Sequence, residues 1–406
     1  MINDGKTVIK QLTLCLSLAF LFSAPPNLKA QESITKHLSF DQLIKVEGGL
    51  NYYNYPSNLV YTSYKNEILI LEEEPAEIDK EEVFKAVLVK LPSGKQQSFE
   101  IRIPKKKIHR QGALHNCALS DKYLLLNFVD KQFLFKRNKN DFVLFSDYTY
   151  ENITGNIFIG SNTFKLASVG VFGKRGSKKR NFVSEYRIAN GREKKIEYLD
   201  IEGRAFHHTK PSQIVAQTEE EIIWVEPINH NLMCFNPETG EVDTVKENNP
   251  NWKEIDKRDL EELQAEDEII EILSLTRGLL SEVSRAWGIY FLNEETLISV
   301  YHHPEDGGYK FYSNVYKKSQ KGWKKEHAEL SLDEWLDFPK EEKLTKQNFP
   351  FLFGSLGSGR LFSEDYICII TEGSNVGWQE NSYQNYFLSK EVDDKSLELH
   401  VFKHNF

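Results

Sequence analysis

The stretch PSQIVAQTEEEIIWVEPINHNLMCFNPETGEVDTV, residues 211–245, decides how the whole chain reads. Residues 211–217 can extend, and the polar turn Thr218-Glu219-Glu220 then reverses them. Residues 222–226 form a second apolar run, 231–235 a third, and 241–245 a fourth. The last reversal is Pro237-Glu238-Thr239-Gly240, with proline and glycine where a tight turn uses them. Four short strands in about 35 residues make one small antiparallel sheet.

The same rhythm recurs. Apolar runs stop at Lys65-Asn66, Asp121-Lys122, Ser161-Asn162, Thr218-Glu219-Glu220, Asn293-Glu294-Glu295 and Glu364-Asp365. They restart as EILIL, YLLLNF, TFKLASV, EIIWV, TLISVY and YICII. A spacing of about 60 residues fits a blade repeat. The second repeat uses 116–120, 123–129, 132–136 and 142–145. The first uses 59–64, 67–71, 83–91 and 97–103, with Pro92-Ser93-Gly94 as its last turn. The third is wider, with 173–180 between its second and third strands. The fifth carries 301–308 at the equivalent place, followed by strands 309–317 and 322–329. The sixth ends at 397–402 and is one strand short, which 37–46 can supply. The expected fold is an all-β, six-bladed β-propeller of four-stranded antiparallel blades. Pairing of the N-terminal strand with the C-terminal blade would close it and remove an exposed sheet edge.

Lys6 and Lys10 precede an apolar run at 12–22, and small residues follow at Ser23-Ala24 and Ala30. This is the pattern of a secretory signal, with cleavage after Ala24 or, preferably, after Ala30. The run is too short to span a bilayer comfortably, so no stable membrane span is expected after its removal. Residues 31–406 then form a single propeller domain, exported to the periplasm, the cell surface or the medium of a bacterium. Inserts at about 253–283 and 332–347 interrupt the rhythm; Leu260, Leu263, Ile270 and Leu273 have helical spacing. Both read as solvated decoration above one face. The net charge of -9 argues against a nucleic-acid partner. An aromatic content of 12% with only two methionines suits a β core. Outside the signal the cysteines are Cys117, Cys234 and Cys368, one in each of three blades, and are expected as buried thiols.

The six hairpins, the NPETGEV turn at 236–242 and the terminal strand LELHVFKHNF resemble the six-bladed β-propeller proteins found among exported bacterial proteins. Many of those are of unknown function. The resemblance implies a fold and an extracytoplasmic place, and it brings no catalytic residues.

In a propeller, the loops leading into inner strands share one face with the loops between second and third strands. The first set contributes Arg110, His115, Arg204, His207, His208, Arg285 and Arg360. The second contributes Lys174, Arg175, Lys178, Lys179, Arg180, His230, His302 and His303. An acidic protein thus gathers arginine and histidine on one face. The ligand candidates are Arg110, His115, Arg204, His208, His230, Arg285, His303 and Arg360, because arginine forks suit carboxylate, sulfate or phosphate. Adjacent histidines on a strand point to opposite faces, so His207-His208 and His302-His303 each offer one inward ligand at most. No metal and no cofactor are expected. GxSxG, HExxH, GxxxxGK[ST] and helix-coupled GxGxxG motifs do not occur. The leading reading is a binding or scaffold propeller for an anionic small molecule, a glycan or a protein. The alternatives are a propeller lyase or hydrolase acting on acidic polysaccharide, and a purely structural interaction module.

Overall fold

The structure, a computed structural model, describes residues 33–406 apart from 48–58, 73–75, 109–113, 150–155, 160–162, 169–180, 188–194, 202–214, 226–229, 260–281, 333–358, 373–396 and a few single or paired positions between them. The signal-like segment and most of both inserts lie outside these residues.

After a 3-10 turn at Ile34–His37, the first strand is β1 (Leu38–Val46). The first sheet holds β2 (Leu59–Tyr64), β3 (Glu67–Glu72), β4 (Ala76–Ile78), β5 (Glu81–Lys90) and β6 (Lys95–Pro104). The second holds β7 (Leu114–Leu119), β8 (Tyr123–Phe128), β9 (Lys131–Asn138) and β10 (Asp141–Thr149). The third holds β11 (Asn156–Ile159), β12 (Thr163–Ser168), β13 (Asn181–Arg187) and β14 (Lys195–Ile201). In the fourth are β15 (Val215–Gln217), β16 (Ile222–Val225), β17 (Leu232–Phe235) and β18 (Val242–Val245). In the fifth are β19 (Arg285–Asn293), β20 (Thr296–Glu305), β21 (Gly308–Ser319) and β22 (Gly322–Ser331). The last sheet has the order β1, β25 (Leu397–His404), β24 (Tyr366–Glu372), β23 (Gly359–Phe362).

The chain is therefore an all-β propeller built of four-stranded antiparallel blades. Six four-stranded blades were expected, and that count needs correcting. Five sheets have four strands, whereas the first has five, because β4 pairs with the outer part of β5. Residues 73–82 carry only one strong apolar pair, so β4 leaves no alternating pattern to read. The expected 37–46 strand is present as β1, running from Leu38 opposite His404 to Val46 opposite Leu397.

Turn chemistry sets the hairpins. Asn236 Oδ1 accepts from Glu238 N at 2.8 Å, and Gly240 N donates to Asn236 O at 2.8 Å. Gly240 takes φ +75°, a value that costs glycine nothing. The core lies between sheets, not within them. On β3, Ile68 and Ile70 face the last sheet, while Leu69 and Leu71 face the second. On β20, Leu297 faces the fourth sheet, while Ile298 and Val300 face the last. Strands buried on both faces read as unbroken apolar runs, which is why EILIL and TLISV lack alternation.

Two glutamates at the start of second strands latch neighbouring sheets: Glu67 opens β3, and Glu221 immediately precedes β16. Glu67 accepts a bidentate pair from Arg137 at 2.6 and 2.9 Å. Glu221 accepts from Trp323 Nε1 at 3.1 Å and pairs with Lys318 at 3.2 Å.

Cys117, Cys234 and Cys368 are buried free thiols in three different clusters. Burial pushes the Cys234 thiol up to about 12 and raises Cys117 and Cys368 as well. A thiol reagent at neutral pH should therefore find none of the three in the folded protein and all three after denaturation. Finding a single reactive group in the denatured, unreduced chain would contradict the assignment.

Candidate functional site

Of the residues that the sequence points to, His230, Arg285, His302 and His303 are described with their side chains. His115 lies on β7 and Arg360 on β23, with only their backbones described. Arg110, Arg204, His207, His208 and the 174–180 cations lie outside the described residues.

The 301–308 segment is not a loop. β20 continues to Glu305 and β21 begins at Gly308, so His302 and His303 sit in a long hairpin. The aromatic residues Tyr301, Tyr309, Phe311 and Tyr312 favour strand and extend the ladder past the point where a loop was expected. The predicted alternation of the two histidines holds. His303 faces Tyr301 and Tyr312, each with ring centroids 5.2 Å away. His302 instead packs edge-on against Phe311 at 5.8 Å.

His303 belongs to a polar chain that reaches across the seam between the fourth and fifth sheets. Its Nδ1 lies 2.6 Å from Ser284 Oγ, and its Nε2 lies 3.0 Å from Asn249 Nδ2. Asn249 Oδ1 is held by the backbone N–H of Asn251 at 2.8 Å, so the amide presents its NH2 to the histidine. Nε2 therefore accepts, and the ring proton sits on Nδ1, donated to Ser284 Oγ. Ser284 Oγ also accepts from Lys253 N at 2.8 Å. Serine, histidine and asparagine in a row look like a nucleophile relay. In this tautomer, however, the imidazole offers Ser284 a proton instead of taking one, which is the wrong direction for general-base activation.

Behind His303, Glu247 anchors the segment that follows β18. Its side chain is 3% exposed. Oε1 accepts from Asn248 N at 3.0 Å, from Asn249 N at 3.1 Å and from Lys325. Oε2 accepts from Asn314 Nδ2 at 2.8 Å. Burial alone would raise this carboxyl, but His230 and Lys325 outweigh it and hold it at about 2. His230 lies 3.3 Å away by Nδ1, near enough for charge to be felt but outside hydrogen-bond geometry. Burial lowers His230 against the pull of Glu247.

His230 itself is fully buried, takes φ +54°, and stacks on Trp252 at 4.8 Å with the planes 9° apart. Its other neighbour is Tyr301 at 4.6 Å. A left-handed, non-glycine residue in a packed seam is a strained position. Glu329, whose N–H donates to Asn314 Oδ1 at 2.9 Å, is another, at φ +56°.

Arg285 opens the inner strand β19, directly opposite His302, and is 6% exposed. Burial, then the charge of Arg285, then His303 bring His302 down to about 3. His400 on β25 is lowered to about 4 by burial. The sign follows. Both rings are neutral when folded, and both take up protons when unfolded below their ordinary value of 6.5. Stability is full above that value and is lost as pH falls toward the folded values. At pH 5 each histidine should cost about 2 kcal/mol. Urea midpoints measured from pH 7.5 to 5 should fall, and His400→Leu should flatten the curve. An unchanged slope in that variant would contradict the assignment.

Sequence reasoning missed Glu247, Asn249, Trp252, Ser284 and Lys325. The available signal was the polar run Glu247-Asn248-Asn249-Pro250-Asn251-Trp252, whose asparagines favour turns that bond their own backbone. Among the described residues no cluster of three or more His, Cys, Asp or Glu could hold a metal ion. Among them, too, no helix is long and apolar enough to cross a membrane.

No protein-family model and no curated protein sequence matches the chain. In structure it is similar to a member of the DUF4221 family from Bacteroides vulgatus ATCC 8482, with 12% identity and a TM-score of 0.46 over 90% of this chain and 97% of that one. It is also similar to HIRA(644–1017), with 10% identity and a TM-score of 0.30 over 55% of this chain and 58% of that one.

Proposed function

We propose that the protein is an exported, non-enzymatic binding propeller whose inner-strand entrance takes an anionic ligand. The observation that carries this reading is Arg285. It is a buried guanidinium at the first residue of inner strand β19, close enough to His302 for its charge to depress that ring. Arg360 is the second residue of β23, the inner strand packed beside β19. Burying a guanidinium is costly, and an anion bound beside Arg285 would help to offset that cost. Carboxylate, sulfate and acidic glycans fit, because an arginine fork matches their oxygens.

The reading takes the propeller as closing into a ring of six sheets, with the five-stranded first sheet counted as a blade carrying one extra strand. The inner strands β2, β7, β11, β15, β19 and β23 contact one another in chain order, and β23 contacts β2. The export signal remains part of the proposal, as does a periplasmic, cell-surface or secreted place in a bacterium.

Thermal shift with sulfate, phosphate, uronates and sulfated glycans tests the reading. A ligand at a hundred times its dissociation constant should stabilise by about 2.7 kcal/mol. Arg285→Ala should weaken that ligand by about 1.5 to 3 kcal/mol and leave folding nearly unchanged. If no anion shifts the transition, or if the variant binds as well as the parent, the anion site is absent and an interaction module becomes the better reading.

A further inference from the structure

We infer that His230 is an acid-released pin on the segment Asn248–Lys253, and that its release loosens the ground on which Arg285 stands. His230 stacks on Trp252 at 4.8 Å. The next residue, Lys253, is tied to Ser284 in both directions, N to Oγ at 2.8 Å and O from Ser284 N at 2.9 Å. Lys253 Nζ also donates to Pro304 O at 3.1 Å, beside His303. Ser284 immediately precedes Arg285. A packed path therefore runs from His230 through Trp252, Lys253 and Ser284 to the candidate anion site.

The surroundings of His230 explain why a proton would undo the pin. Among the described residues, Glu247, from the segment after β18, is the carboxylate at close range, and it already serves Lys325, Asn314 and two backbone N–H groups. Lys325 of β22 repels a second cation on the ring. From β20, Tyr301 packs on the ring, and His303 lies behind it; from β22, the Glu329 charge reaches the Tyr301 phenol. Nε2 of His230 has no hydrogen-bond acceptor among the described residues. A protonated ring is thus better solvated outside the seam than within it, and leaving the seam withdraws support from Trp252. The strained φ of +54° means that departure also relaxes the backbone.

The coupling to Arg285 rests on the anion-binding reading; the pin itself does not. Hydrogen exchange of the full mature chain, corrected for intrinsic rates, should show segment 248–253 opening more often as pH falls from 7.5 to 5. Circular dichroism must report an intact fold throughout. The opening equilibrium should rise by up to about 30-fold by pH 5, the linkage expected when only the open state takes the proton. His230→Asn should abolish the rise, because asparagine tolerates the left-handed backbone and does not titrate. Equal protection at both pH values, or the same acid response in the variant, overturns the pin. If the variant does not fold, the ring titration of wild-type His230 followed by NMR must share the midpoint of the exchange change, and a mismatch overturns it. Sulfate is the probe for the coupled site, and its affinity should fall together with the protection. Acid opening without any sulfate binding supports the pin and sinks the anion site instead.

Discussion

Glu247→Ala should destabilise the protein by about 3 to 5 kcal/mol, the usual result of removing one member of a buried ion pair. The reason is the number of groups that this single carboxylate satisfies. Asn248 and Asn249 donate backbone N–H groups, Asn314 donates its amide, and Lys325 supplies the charge. Asn314 is fully buried and Lys325 is 18% exposed, so neither is freely hydrated once the carboxylate has gone. Glu247→Gln should cost less, since an amide oxygen still accepts, while Lys325 loses its counter-charge. The pH dependence distinguishes this from a simple packing loss. A carboxyl held at about 2 when folded titrates near 4.5 when unfolded. Its contribution is therefore present above 4.5 and lost as pH falls toward 2. Urea denaturation should show a large gap between wild type and Glu247→Ala at pH 7 that narrows below pH 4. A cost under about 1 kcal/mol at pH 7 would mean that the network is not a structural anchor.

The contrast between Glu247 and the histidines shows what a sequence can carry. Strand runs were legible because burial on both faces leaves a mark at every position: Ile68 to Leu71 and Ile222 to Val225 are buried throughout. Turns were legible because Asn236 and Gly240 have local work to do. The site was not legible in the same way. His302 and His303 were assigned to a loop because nothing local says that a hairpin continues; only pairing with Phe311 and Lys310 across the turn does. Glu247 looks like one more exposed acid in VDTVKENNPNW. Its burial comes from Asn314 and Lys325, 67 and 78 residues away. Charge on a face can be counted from a sequence, whereas the protonation of a histidine depends on partners that only folding brings near. The described histidines thus contribute packing and, for His303, tautomer-specific hydrogen bonds.

Removing residues up to Val46 should abolish cooperative folding, the largest effect expected of any change considered. β1 is the outer strand of the last sheet, yet it comes from the other end of the chain. Its inward side chains Leu38 and Ile44 are 8% and 6% exposed, and they lie in two different core clusters. Each contributes about 1.5 to 3 kcal/mol of burial. Polar ties add to this on the side of the first sheet. Gln42 Nε2 donates to Pro92 O at 2.6 Å, and Gln96 Nε2 donates to Lys45 O at 2.6 Å. Asn405 N donates to His37 O at 3.1 Å, and Phe406 stacks on His37 at 5.0 Å, so the chain's last residues lose their seat too. Without β1 the edge of β25 is open along Leu397, Leu399 and Val401, an apolar edge of the kind that pairs with other chains. Domains of this type have about 5 to 15 kcal/mol in total, which this set of losses consumes. A chain spanning 47–406 should therefore aggregate or unfold without a cooperative transition, while 33–406 should not. A synthetic peptide of residues 33–46 should bind the truncated chain and restore part of the transition, because the missing strand can add in trans. A truncated chain that is monomeric and unfolds within about 1 kcal/mol of its parent would show that β1 decorates the last sheet without completing it.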